Sequence, residues 1–148
     1  MNSFSYIFPK SFKRFSLCDV EIDNIICKED VVKFVFSNGF YRVENEQLHL
    51  ATSGYVEFFH GSAEEFSCHI VKRKASANGS ILFGYPISLT ELSDMLSKEG
   101  RRIELFQELY DFNNLLWRGV LLPYNADGLS DHVVIETSDC FPMTYFWD

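Results

Sequence analysis

Period-two alternation in short runs, each closed by a turn signal, constrains this chain more than any other feature. In "DVEIDNII" Val20, Ile22 and Ile25 fall near one face, and "DVVKFVFS" follows a "CKED" turn. Alternation at this period sends successive side chains to opposite faces of a strand. Short runs of this kind, repeated along a chain, imply antiparallel pairs joined by tight turns. Asn38-Gly39 stands between two β-rich runs, where a type I′ turn needs positive φ at both central residues, so it predicts a hairpin. "QLHLAT", Ser53-Gly54 and "YVEFFH" predict a second hairpin. "FSCHIVKRK" and "SILFGY" predict a third around Ala77-Asn78-Gly79.

One segment changes period. In "SLTELSDMLSKEGRR" Leu92, Met95 and Leu96 form a helical stripe, with Thr90 as N-cap and Gly100 as the stop. Lys98, Arg101 and Arg102 sit near its C-terminus, where positive charge suits the helix dipole. Alternation then resumes: "RIELFQELYDF" is predicted to bury Ile103, Leu105 and Leu109 and to expose Glu104 and Glu108. Asn113-Asn114 turns the chain into "LLWRGVLLPY", and after the "YNADGLSD" loop come two last strands, "HVVIET" and "MTYFW". The tail is thus a strand, with Met143, Tyr145 and Trp147 on one face. Phe4, Tyr6 and Phe8 predict a short first strand ending at Pro9. The expected architecture is α+β: a predominantly antiparallel, strongly curved or half-barrel sheet of about eight to nine strands with one short helix. No linker composition interrupts it, so residues 1–148 are read as a single domain.

A chain of 148 residues can bury one real core without staples. Fifteen Phe and seven Tyr favour sheet. The apolar runs fall far short of the ~20 residues a membrane helix needs. The N-terminal stretch is basic up to Asp19 but lacks the apolar block of a signal peptide, and Pro9 interrupts the helix of a transit peptide. Four cysteines (Cys18, Cys27, Cys68 and Cys140) are widely spaced without a CxxC pair, which predicts free thiols and a cytoplasmic location.

Catalytic signatures are missing. The chain has no G-x-S-x-G, H-E-x-x-H, P-loop or G-x-G-x-x-G. The Asn125-Ala126-Asp127-Gly128 loop fails as a calcium loop, because Pro123 and Val134 would occupy its first and last ligand positions. Cys68 and His69 are adjacent and point to opposite faces, so only one could join His60 at a metal. Ser130-Asp131-His132 is contiguous, whereas triad members meet through the fold. No catalytic, cofactor-binding or metal residue is predicted, no cofactor is expected, and the chain is read as a non-enzyme.

Charge says more. Residues 1–74 carry nine Lys or Arg against ten Asp or Glu, and residues 75–148 carry four against eleven. After Arg118 only acids remain: Asp127, Asp131, Glu136, Asp139 and Asp148, interleaved with Tyr124, Phe141, Tyr145 and Trp147. A region of one sign repels nucleic acid and anionic lipid and attracts a basic partner. Aromatic groups amid complementary charge make interface hot spots. Solubility and ordinary core packing account for the same residues.

The order of features also resembles a known family. An aromatic N-terminal arm precedes "LCDVEI", then "VVKFVFSNGFY", "TSGYVEFF", a small helix, "ELYDFNNLLWRGVL" and a closing "TYFWD" strand. This is similar to the small acidic immunity proteins of bacterial contact-dependent growth inhibition and polymorphic toxin systems. The resemblance rests on length, element order and turn placement. It implies an antitoxin that binds the C-terminal domain of a cognate toxin, often a basic nuclease, and neutralises it without covalent chemistry. Acidic groups that mimic phosphate would serve that role. The candidate toxin-binding residues are therefore Asp127, Asp131, Glu136, Asp139 and Asp148, with Tyr124 and Trp147 as anchors. No direct contact with nucleic acid or membrane is expected. Two other readings stay open: a β-rich domain enclosing a small apolar ligand near "ILFGYP", and a phage or regulatory adaptor protein.

Overall fold

Alternation is carried out most fully in two strands far apart in the chain. Strand β5 (Val31–Phe36) sends Val32, Phe34 and Phe36 inward, and β12 (Asn114–Leu122) does the same with Leu115, Trp117 and Leu121. The computed structural model describes residues 1–6, 14–59 and 61–148. Phe8 and Pro9, expected to end the first strand, and His60 lie outside the described residues.

Fourteen strands form three antiparallel sheets among the described residues. The first has the order β1 (Asn2–Tyr6), β14 (Met143–Trp147), β8 (Gly54–Phe59), β5 and β4 (Asn24–Lys28). The second runs β10 (Gly79–Ile87), β9 (Phe66–Ser76), β13 (Asp131–Thr137), β12, β11 (Arg102–Asp111) and β3 (Glu21–Ile22). A small third sheet joins β2 (Phe15–Ser16), β6 (Tyr41–Glu44) and β7 (Gln47–Leu50). The two large sheets face each other through aromatic rings: Trp117 meets Phe34 at 5.1 Å and Phe58 at 5.9 Å between centroids, edge to face. Edge-on contacts of this kind exceed plain area burial in value. The third sheet caps one side, where Phe15 stacks on Tyr145 at 4.1 Å and 5°.

The antiparallel α+β character matches the expectation, but the single half-barrel of eight to nine strands does not. The sheets are open and stacked. Two-residue strands such as β2 and β3 are too short to display a period, so reading alternation undercounts them. The expected hairpin at Asn38-Gly39 is instead a corner. It leads from β5 in the five-stranded sheet to β6 in the small one. Gly39 has φ +81, donates its N–H to Phe36 O at 2.9 Å, and lies so close to Ala51 that a Cβ would fall 1.7 Å from that carbonyl oxygen. The same small sheet overturns the hairpin expected at Ser53-Gly54, since β7 pairs with β6 and β8 pairs with β14 and β5. The tight β6–β7 turn falls on Asn45 and Glu46, with φ of 51° and 62°, the signature of a type I′ turn. The β9–β10 hairpin is as expected, with Ser76 opposite Gly79.

Helix α1 (Leu89–Glu99) starts at Ser88 rather than Thr90, because Ser88 and Glu91 form a reciprocal capping box. Gly100 ends it in the left-handed region at φ 66. Leu89, Leu92 and Leu96 are buried, with Met95 half-buried beside them. The helix contacts β4 and β9 and so bridges the two large sheets, and Ser93 Oγ donates to the Ile25 carbonyl. The tail is a true strand: β14 lies between β1 and β8, with Met143 and Tyr145 buried and Phe146 stacked on Tyr55 on the other face.

Candidate functional site

Because β11, β12, β13 and β9 are neighbours, their outward residues form one continuous surface on the face of the six-stranded sheet away from the core. Along β13 the inward positions are Asp131, Val133, Ile135 and Thr137, and the outward ones are His132, Val134 and Glu136. Outward on β12 are Leu116 and Arg118, opposite Glu136 and Val134. A β-bulge between Leu105 and Gln107 resets the phase of β11. Leu109 therefore turns outward and is 51% exposed, and Glu108 turns inward, the reverse of the expectation from simple alternation.

At one end of this face lies a groove of about 600 Å³. Its walls include Leu109, Leu115 and Leu116 for apolar contact and Glu65, Asp111 and Glu136 for charge, and no Lys or Arg lines it. The turn beside it carries Phe112, 75% exposed and held at φ 53. A bulky residue at positive φ costs free energy that ordinary turn residues avoid. An aromatic in that position, pointing to solvent next to an acidic apolar groove, has the makings of a contact anchor.

The expected toxin-binding residues do not gather in one place. Glu136 lines the groove, and Asp139 is exposed just beyond the end of β13. Tyr124 (61% exposed) and Asp127 belong to the 123–130 loop towards the opposite end of the face, where the Asp127 carboxylate accepts from Leu129 N–H at 2.9 Å. Asp131 is buried: it sits 3.5 Å from Lys72 Nζ and accepts from Asn125 Nδ2 at 3.1 Å, so its charge is already matched within the chain. Trp147 and Asp148 are on the other large sheet. The Trp147 ring packs against Phe15 at 5.3 Å, and Asp148 accepts from Ser53 Oγ at 3.0 Å. Sequence reading missed Leu109 and Asp111, because the bulge in β11 that presents them leaves no mark in the residue pattern, and it missed Phe112 in the turn that follows and Glu65, which reaches the groove from the turn before β9.

Glu108 and its neighbours form a polar cluster between the layers. Its carboxylate accepts from Leu17 N–H at 2.9 Å and from the Tyr110 hydroxyl at 2.7 Å, while Trp117 Nε1 donates to that same hydroxyl at 3.1 Å. Burial raises the Glu108 carboxyl above the usual carboxylate range, against the lowering effect of these donors. The cluster ties the segment at Leu17 to the six-stranded sheet. Burial likewise pushes the Cys68 and Cys140 thiols up to about 12, which leaves them as inert apolar fillers. Among the described residues no group of three or more His, Cys, Asp or Glu could hold a metal ion, and no helix is long and apolar enough to cross a membrane. No protein-family model matches the chain, nor does any curated protein or solved structure, so the site stands on its geometry alone.

Proposed function

We propose that this chain is a non-catalytic binding protein of the immunity class, which neutralises a basic toxin domain by seating it on the acidic groove. One observation carries the reading: three carboxylates, Glu65, Asp111 and Glu136, around an apolar floor, with the exposed Phe112 beside them. A nuclease must be basic where it holds phosphate, so a protein that occludes that surface gains from carboxylates around an apolar anchor. The remaining acids then act by steering the encounter.

The reading is tested with the toxin domain encoded beside the gene. Asp111→Lys with Glu136→Lys is expected to weaken binding by about a hundredfold, given roughly tenfold or more per misplaced charge at a desolvated contact. Binding of the unmodified chain should also fall steeply with added salt. Unchanged affinity in the double variant would remove the groove from the interface. The groove also has the size of a small-molecule site, which keeps metabolite binding as the second reading. Stabilisation by a metabolite in a thermal-shift screen, lost on Leu116→Arg, would favour that alternative.

A further inference from the structure

The opposite end of the same face is basic. His132 stands four residues before Glu136 on β13, about 13 Å at the usual rise of a strand. Beside it, Arg118 projects from β12 and Arg73 from β9, next to a pocket of about 420 Å³. Ser130 lines the pocket from the preceding loop, and Leu82 and Leu129 give it apolar walls. No Asp or Glu lines it.

Three observations set these cations apart from the paired charges of the chain. Neither Arg73 nor Arg118 takes part in an ion pair among the described residues, although the chain is acidic overall. The nearest acid in sequence, Asp131, faces the other way and is committed to Lys72. Arg118 Nε is buried without a hydrogen-bond partner, a state that ordinarily costs free energy. Phe106 steadies the pair: its ring centroid lies 5.7 Å from the Arg118 guanidinium carbon and 5.5 Å from the His132 ring. Burial, and then the charges of Arg118 and Arg73, hold the His132 imidazole below its usual range.

We propose that this pocket binds a small phosphomonoester, with Arg73 and Arg118 on the phosphate, His132 and Ser130 as further hydrogen-bond donors, and the organic body against Leu82 and Leu129. Two unpaired guanidiniums match the double charge of a phosphomonoester, and their planar forks suit its oxygens better than ammonium groups would. The apolar walls favour an esterified over a free phosphate. The site is separate from the acidic groove, so it stands or falls independently of the toxin-binding reading.

Titrating phenyl phosphate into the full chain, followed by amide and imidazole chemical shifts, tests the assignment. Saturable shifts are expected at His132 and Ser130, with weaker binding by benzoate and by inorganic phosphate. Arg118→Gln is expected to reduce affinity about tenfold or more, the effect of one lost charge-assisted bond. Arg73 is exposed, so Arg73→Gln supplies a second variant that spares the fold and should show a loss of similar size. Glu136→Lys, at the far end of the face, should leave phenyl phosphate affinity unchanged. Absence of saturable binding, or affinity in both arginine variants equal to that of the unmodified chain, would overturn the site. Benzoate binding as tightly as phenyl phosphate would overturn the phosphate assignment.

Discussion

Glu108 shows how a single residue is committed by its surroundings. Its oxygens satisfy the N–H of fully buried Leu17 and the Tyr110 hydroxyl, so removing them orphans the Leu17 N–H, while the Tyr110 hydroxyl keeps Trp117 Nε1. Glu108→Ala is expected to cost about 1–3 kcal/mol, the penalty of one unsatisfied buried group. Glu108→Gln keeps one acceptor oxygen for the Leu17 N–H and should cost less. Because the folded carboxyl is raised, the native state holds the proton more tightly than the unfolded chain does. The stability tied to that proton is complete below the ordinary carboxylate range and is lost as pH rises through the folded pKa. Urea unfolding across this range should show that slope in the unmodified protein and its loss in Glu108→Gln. An identical pH profile for the two would remove Glu108 as the cause.

Among the elements, β14 carries more than a terminal strand usually does. It is hydrogen-bonded on both edges, and Tyr145 is buried among Phe15, Phe40 and Tyr6. Removing residues 145–148 should therefore abolish cooperative thermal unfolding rather than only weaken binding, since it leaves β1 and β8 unpaired along that stretch. A cooperative transition within a few degrees of the full chain would contradict this placement. The strands that alternate over five or more residues, the β9–β10 turn and α1 were all legible in the sequence, because each is specified by its own residues. What was hidden depends on distant partners. Asn38-Gly39 has the chemistry of a hairpin turn, yet the backbone of Ala51 decides that it becomes a corner. The bulge after Leu105 inverts the faces of Glu108 and Leu109, and with them the composition of the groove. Of the acids singled out by composition, Glu136 reaches the groove, whereas Asp131 is neutralised by Lys72, a residue of another strand.

For the whole molecule, the outer face of the six-stranded sheet is polarised, acidic at the groove and basic at the pocket. A basic partner approaching this face is attracted to one end and repelled by the other, which orients the encounter as well as hastening it. Arg73→Glu should then raise the association rate with a basic toxin domain at low salt, and Glu136→Lys should lower it. Stopped-flow rates that converge at high salt would mark the effect as electrostatic. The corner at Gly39 has a further consequence, for chemical ageing. Asn-Gly pairs lose ammonia when the glycine nitrogen attacks the asparagine side chain, and the resulting ring opens to an acid. Gly39 is poorly placed to attack, with its N–H on Phe36 O and its α-carbon against Ala51. Gly79, at the tip of the β9–β10 hairpin, has open space around it. On prolonged storage, peptide mapping should find deamidation at Asn78 well before Asn38, placing a new negative charge at the end of the hairpin that carries Lys72, Arg73 and Lys74.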